Sequence, residues 1–157
     1  MKSRRHLYFA YGMNMDRKHM SKLCPGALFI GVGKLSQWKF EYRHHADIEL
    51  TGDPEEIVHG TVWEVSEKNI KNLDMLEGYP SYYDRDGVQV EVNGEMEDAF
   101  TYTMTARNKI DLGVPAHSYH KLCMDAAFHY GVPTEQYGDA LDRAQAKYGR
   151  LMTRERR

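Results

Sequence analysis

Leu7-Tyr8-Phe9-Ala10-Tyr11-Gly12-Met13-Asn14 is a short aromatic-rich apolar run halted by a glycine, with Asp16, Arg17 and Lys18 close behind. Such a run with such a break reads as a buried strand over residues 7–11. Asn14 or Asp16 can then cap a helix over about residues 17–23, which Cys24-Pro25-Gly26 stops. A strand passing straight into a helix leaves several backbone N–H groups unpaired at one point. Gly12 lets the backbone approach a ligand closely, and the helix start adds partial positive charge. The loop therefore suits a carboxylate or a developing oxyanion. Taken alone, Tyr11-Gly12-Met13-Asn14 reads first as a tight strand-to-helix turn with no ligand.

Extended stretches follow at residues 27–35, 38–42 and 47–51, the last closed by Gly52-Asp53-Pro54. Residues 57–65 carry apolar groups on both faces, with Val58, Gly60 and Val62 alternating against Thr61, Trp63 and Val65, as an interior strand does. Ser66 can cap a helix over residues 67–77 with Ile70, Leu73 and Leu76 as its apolar stripe, and Gly78 and Pro80 end it. Asn93-Gly94 between extended runs at 84–92 and 95–104 is a hairpin signal. Two helices, near 118–130 and 135–148, close the chain, the second ended by Gly149. Many strands with few and late helices predict an α+β fold, a small mixed β-barrel or strongly curved sheet with helices packed outside.

The 157 residues carry 21 Lys+Arg against 23 Asp+Glu, a formal net charge of −2. One domain over residues 1–157 is expected at this length, with a basic C-terminal tail from about residue 150. A hydrophobic fraction of 41% and a charged fraction of 28% exclude collagen, coiled coil and disordered classes. The near-neutral balance argues against a protein built to bind nucleic acid. Cys24 and Cys123 stand far apart in no metal-binding pattern, so neither a disulfide framework nor a zinc site is expected. The first apolar run is too short for a secretory or membrane segment. A cytoplasmic protein with no membrane partner and no metal is the expectation.

Glu77 is the second informative residue. At about 100° per residue it projects about 20° from Ile70 and about 40° from Leu73, placing a carboxylate within the apolar stripe. It also lies in the last helical turn, where the backbone carbonyls make negative charge unwelcome. Burial and the helix end both push its pKa upward, as proton transfer to and from amines near neutral pH requires. An end-of-helix glutamate reaching past the core to water is the plain alternative.

These two features together resemble the γ-glutamylcyclotransferase (AIG2-like) family. Tyr8-Phe9-Ala10-Tyr11-Gly12-Met13-Asn14 is similar to the family's Tyr-Phe-Ala-Tyr-Gly-Ser-Asn opening. Leu73-Asp74-Met75-Leu76-Glu77-Gly78 is similar to its Leu-Asp-x-x-Glu-Gly stretch, and Gly60-Thr61-Val62-Trp63 to its Gly-x-Val-Trp strand. Tyr82-Tyr83 matches a tyrosine after the glutamate, and Pro115-Ala116-His117-Ser118-Tyr119 resembles a Pro-Ser-x-x-Tyr segment. The resemblance implies an enzyme that cyclises the γ-glutamyl group of a γ-glutamyl amino acid or amine to 5-oxoproline, releasing the amine. It implies Glu77 as the catalytic acid–base, with Tyr8, Phe9, Ala10, Tyr11, Gly12, Met13, Asn14 and Tyr119 binding substrate. It calls for no cofactor, and it admits a homodimer. Met13 stands where the family has serine: the backbone N–H survives and the hydroxyl does not. That departure motivates a second reading, a non-catalytic small-molecule binding protein on the same scaffold.

Other candidates are expected to be structural. His44-His45 and His117…His120 lack a third ligand and read as surface histidines. Asp84-Arg85-Asp86-Gly87 reads as a strand-edge turn or bulge, and Cys123 as a small buried filler rather than a nucleophile paired with His120. From Lys147 onward five basic residues face one acidic residue. This reads as a solvated, frayed end rather than a nucleic-acid arm.

Overall fold

The computed structural model describes residues 6–109 and 111–155, with side chains as far as Tyr148. Among the described residues, seven strands and four α-helices follow in the order β1 (His6–Ala10), α1 (Arg17–Leu23), β2 (Leu28–Ser36), β3 (Trp38–Arg43), β4 (His45–Leu50), β5 (Ile57–Val65), α2 (Glu67–Glu77), β6 (Tyr83–Val92), β7 (Glu95–Met104), α3 (His117–Tyr130) and α4 (Glu135–Glu155). Strands β1, β5, β2, β6 and β7 close in that order into a barrel. Its neighbours pair antiparallel except at the seam, where β7 runs parallel to β1 at Phe100 opposite Tyr8. The helices pack outside, as the α+β expectation had it.

The barrel interior is built around one aromatic ring. Gly33 of β2 and Gly60 of β5 are register partners. A Cβ at Gly60 would lie 2.3 Å from the Ala10 carbonyl oxygen and 2.8 Å from the Phe9 ring, and one at Gly33 would lie 2.7 Å from Val62 and 2.8 Å from Val90. The paired glycines leave the space that Phe9, Val62 and Val90 fill, all three fully buried. Close packing of this kind tolerates little added volume.

Strands β3 and β4 stand apart as a two-stranded sheet, turned at His44, whose φ is +67°. A buried carboxylate ties this hairpin to the barrel. Asp47 accepts the Met104 N–H at 2.9 Å, and its other oxygen meets Arg43 Nε at 3.2 Å and Lys109 Nζ at 3.0 Å. Tyrosine hydroxyls tie the end of β1 to β7 and to α4: Tyr11 donates to the Tyr102 carbonyl and Tyr137 donates to the Tyr11 carbonyl, each at 2.5 Å.

Several local expectations need correction. Residues 84–87 form neither turn nor bulge but a continuous part of β6, paired residue by residue with β7. Helix α4 continues through Gly149 to Glu155, because one glycine costs only about 1 kcal/mol inside a helix that is otherwise well supported. Side chains of the basic tail beyond Tyr148 lie outside the described residues. Asp16, not Asn14, caps α1, accepting the His19 N–H at 2.9 Å. Leu76 is not core: it is 42% exposed, whereas Leu73 is fully buried. His120 is no free surface histidine, since its Nδ1 meets the Tyr42 hydroxyl at 2.9 Å.

Candidate active site

Helix α2 delivers Glu77. Ser66 and Asn69 form a reciprocal capping box that fixes the start of the helix, and Gly78, at φ +65°, ends it immediately after the glutamate. On the other side, the chain leaves β1 at Ala10 and makes a single 3₁₀ turn over Met13–Met15 before α1. That turn bonds Met15 N–H to the Gly12 carbonyl and Asp16 N–H to the Met13 carbonyl. The N–H groups of Met13 and Asn14 precede its first bond and meet no protein acceptor among the described residues.

The two elements meet at a cavity of about 220 Å³, lined by Gly12, Met13, Asn14 and Glu77 together with a ring of aromatic side chains. Asn14 is buried and joins its parts. Its Nδ2 donates to Glu77 Oε1 at 2.9 Å and to the Tyr8 hydroxyl at 2.8 Å, and its Oδ1 faces His19 Nε2 at 2.9 Å. Burial pushes the Glu77 carboxyl up to about 7, against the opposing pull of the Asn14 hydrogen bond. The surrounding phenols of Tyr8, Tyr11, Tyr83 and Tyr119 are also pushed up by burial and stay neutral. Among the described residues that line the cavity there is neither lysine nor arginine, and Glu77 is the one carboxylate.

The opposite wall is held from the β3–β4 hairpin. Ala46 donates its N–H to the Tyr119 hydroxyl at 3.1 Å and accepts from the Tyr83 hydroxyl at 2.8 Å. A Cβ at Gly12 would lie 3.2 Å from the Tyr119 hydroxyl and 3.0 Å from Ala46 Cβ, so the loop presses against this wall. The His45 ring stands edge-on to Tyr119 at 5.1 Å and also lines the cavity.

Of the residues expected at the site, Glu77, Tyr8, Tyr11, Gly12, Met13, Asn14 and Tyr119 line this one cavity. Phe9 and Ala10 do not. Alternation along β1 turns Phe9 into the barrel, and Ala10 is buried beside it. The sequence reading missed His19, His45, Ala46, Leu76 and Tyr102. Leu76 was assigned to the core, and Tyr102 reaches the cavity only through barrel closure. Tyr82 and Tyr83, which carried part of the resemblance, also line it.

Cys123 is fully buried against Tyr42 and Tyr119, and burial pushes its thiol up to about 12, which suits a filler and not a nucleophile. Among the described residues no three His, Cys, Asp or Glu side chains are placed to hold a metal ion. No described helix is long and apolar enough to cross a membrane.

Known proteins are similar to this chain in sequence and fold. The gamma-glutamylcyclotransferase of Mus musculus is 28% identical over 143 residues, which is 82% of this chain and 73% of the mouse protein. Gamma-glutamylaminecyclotransferase B of Danio rerio is 29% identical over 96 residues, 58% of this chain and 50% of its own length. A solved structure described as a gamma-glutamyl cyclotransferase superposes with a TM-score of 0.75 at 26% identity, covering 87% of this chain and 86% of its own. Residues 8–121 match the family described as "Gamma-glutamyl cyclotransferase, AIG2-like", a span that takes in β1, the Gly12 loop, Glu77 and Tyr119. By that match, and by the cavity those parts enclose, the chain belongs to the AIG2-like γ-glutamyl cyclotransferase family.

Proposed function

We propose that the protein converts a γ-glutamyl compound, a γ-glutamyl amino acid or γ-glutamyl amine, to 5-oxoproline and a free amine. Glu77 supports this reading above all: a carboxyl held near pH 7 beside unpaired backbone N–H groups, with no second carboxylate among the described residues that line the cavity. The substrate's α-ammonium gives a proton to the Glu77 carboxylate. The freed amine attacks the δ-carbonyl carbon of the same γ-glutamyl group, forming the new C–N bond of a five-membered lactam. The old amide C–N bond breaks as Glu77 returns its proton to the departing nitrogen, which leaves as the free amine. The ring nitrogen passes its second proton to the vacated Glu77 carboxylate, leaving the lactam N–H.

Because nucleophile and electrophile share one molecule, the protein has only to fold the substrate and manage proton and charge. The N–H groups at Gly12–Asn14 are suited to the substrate carboxylate or the tetrahedral oxyanion. The Tyr119 hydroxyl orients the substrate from the facing wall, and the aromatic walls suit an ammonium. Both cysteines are free, as a cytoplasmic setting permits.

Incubating the protein with a panel of γ-glutamyl amino acids and amines, with 5-oxoproline measured by mass spectrometry, tests the reading. Release of 5-oxoproline from at least one compound is expected. Thermal stabilisation by these compounds with no product from any of them would favour the binding-only reading that Met13 motivates.

A further inference from the structure

The contact between His19 and Asn14 has no place in the chemistry above, yet it bears on the residue that does the work. Asp16 caps α1 by accepting the His19 N–H at 2.9 Å, which fixes the first turn and sets the His19 ring against Asn14. A carboxamide can be turned over with almost no change of shape, exchanging its oxygen and nitrogen. In the orientation observed, Asn14 gives one hydrogen to Tyr8 and the other to Glu77. Turned over, it would offer its oxygen to both, a poor match for a carboxylate but a good one for a protonated carboxyl and a phenol, each of which can donate.

We propose that His19 is a positioning residue for Glu77. Its Nε2–H engages Asn14 Oδ1 and locks the carboxamide in the orientation whose N–H groups meet Tyr8 and Glu77. If Asn14 turned over, its NH2 would face the His19 N–H, donor against donor. Burial pushes the His19 pKa down against the upward pull of Asp16, and the Nε2–H form is the one matched to the Asn14 Oδ1 that it faces.

The charged group facing His19 is Asp16 on its own turn. The phenols of Tyr8 and Tyr11 from β1 and the loop after it, Tyr83 from β6 and Tyr119 from α3 face Glu77, and His45 from β4, Tyr82 and Tyr102 line the same cavity. The phenols do not compete for the role, because a neutral phenol can both donate and accept and so favours neither orientation of the amide. The catalytic consequence rests on the function proposed above; the orientation itself does not.

The test is a 13C NMR titration of the Glu77 carboxyl carbon in the folded, substrate-free protein. His19→Ala and the shape-keeping His19→Phe are expected to raise its midpoint by about 0.7 pH units, within the range that a hydrogen bond to a charged group commands. His19→Gln, which keeps an N–H donor at similar reach, should bring it back. Asn14→Ala should raise the midpoint too, and His19→Ala added to it should change nothing further.

In turnover, the same shift lowers kcat/KM of His19→Ala about fivefold at pH 6 and leaves it at the wild-type value at pH 9. An unmoved carboxyl midpoint in His19→Ala and His19→Phe would overturn the proposal. So would full additivity with Asn14→Ala, or a His19→Gln variant that behaves like His19→Ala. Wild-type protein without turnover would instead count against the cyclotransferase reading, leaving the NMR result to judge His19.

Discussion

Glu77 has a consequence for stability as well as for proton transfer. Its carboxyl titrates near 4.5 in an unfolded chain and at about 7 in the folded protein. Between those values the native state keeps a proton that the unfolded state has lost, so the contribution of Glu77 to stability falls as pH rises from about 4.5 to 7. Glu77→Gln removes that slope. The variant is expected to melt roughly 10 °C above wild type at pH 8 and level with it near pH 4, by calorimetry across that range. The helical arithmetic that placed Glu77 toward the buried stripe was legible because it uses only neighbours seven residues away. Its partner Asn14 lies 63 residues away in sequence, and His19 reaches it only through Asn14. No local pattern encodes a bond of that length.

At the scale of elements, β1 serves two masters by alternation: Tyr8 faces the cavity and Phe9 the barrel interior. Phe9→Ala should therefore cost about 3–5 kcal/mol in denaturant unfolding by emptying the barrel, with loss of activity only in proportion to loss of fold. Gly60→Ala, which sets a methyl 2.3 Å from a backbone oxygen, should destabilise by about 3 kcal/mol, since backbone cannot step aside as a side-chain tip can. Ser66→Ala, which undoes the capping box of α2, should cost about 1 kcal/mol. Helix α2 was readable to the residue because capping serine, apolar stripe and terminal glycine all act within one turn of their effect. The β6–β7 hairpin was readable from Asn93-Gly94 for the same reason. The separation of β3 and β4 from the barrel was not, because strand sequence does not name its partner. Nor was the regular pairing of Asp84–Gly87, where polar residues belong to a strand whose side chains are largely exposed.

For the molecule as a whole, closure of the barrel brings the parts of the site together. The β1–β7 seam sets Tyr8 beside Phe100 and Tyr102, with ring centroids 5.3 Å and 5.8 Å apart. The β3–β4 hairpin then supplies the far wall through Ala46, and Asp47 beside it anchors that wall by its contacts with Met104, Arg43 and Lys109. Asp47→Ala leaves Arg43 facing one fewer carboxylate and the Met104 N–H without its acceptor, and should cost about 3–5 kcal/mol by chemical denaturation. The most direct test of the central claim is the pH dependence of kcat/KM for 5-oxoproline formation in wild type and Glu77→Gln, each with its thermal melt recorded. In wild type the rate should climb with pH through a midpoint near 7 as the carboxylate forms, and in a folded Glu77→Gln it should fall by at least about a hundredfold. A folded Glu77→Gln that keeps the wild-type rate and the same midpoint would contradict it.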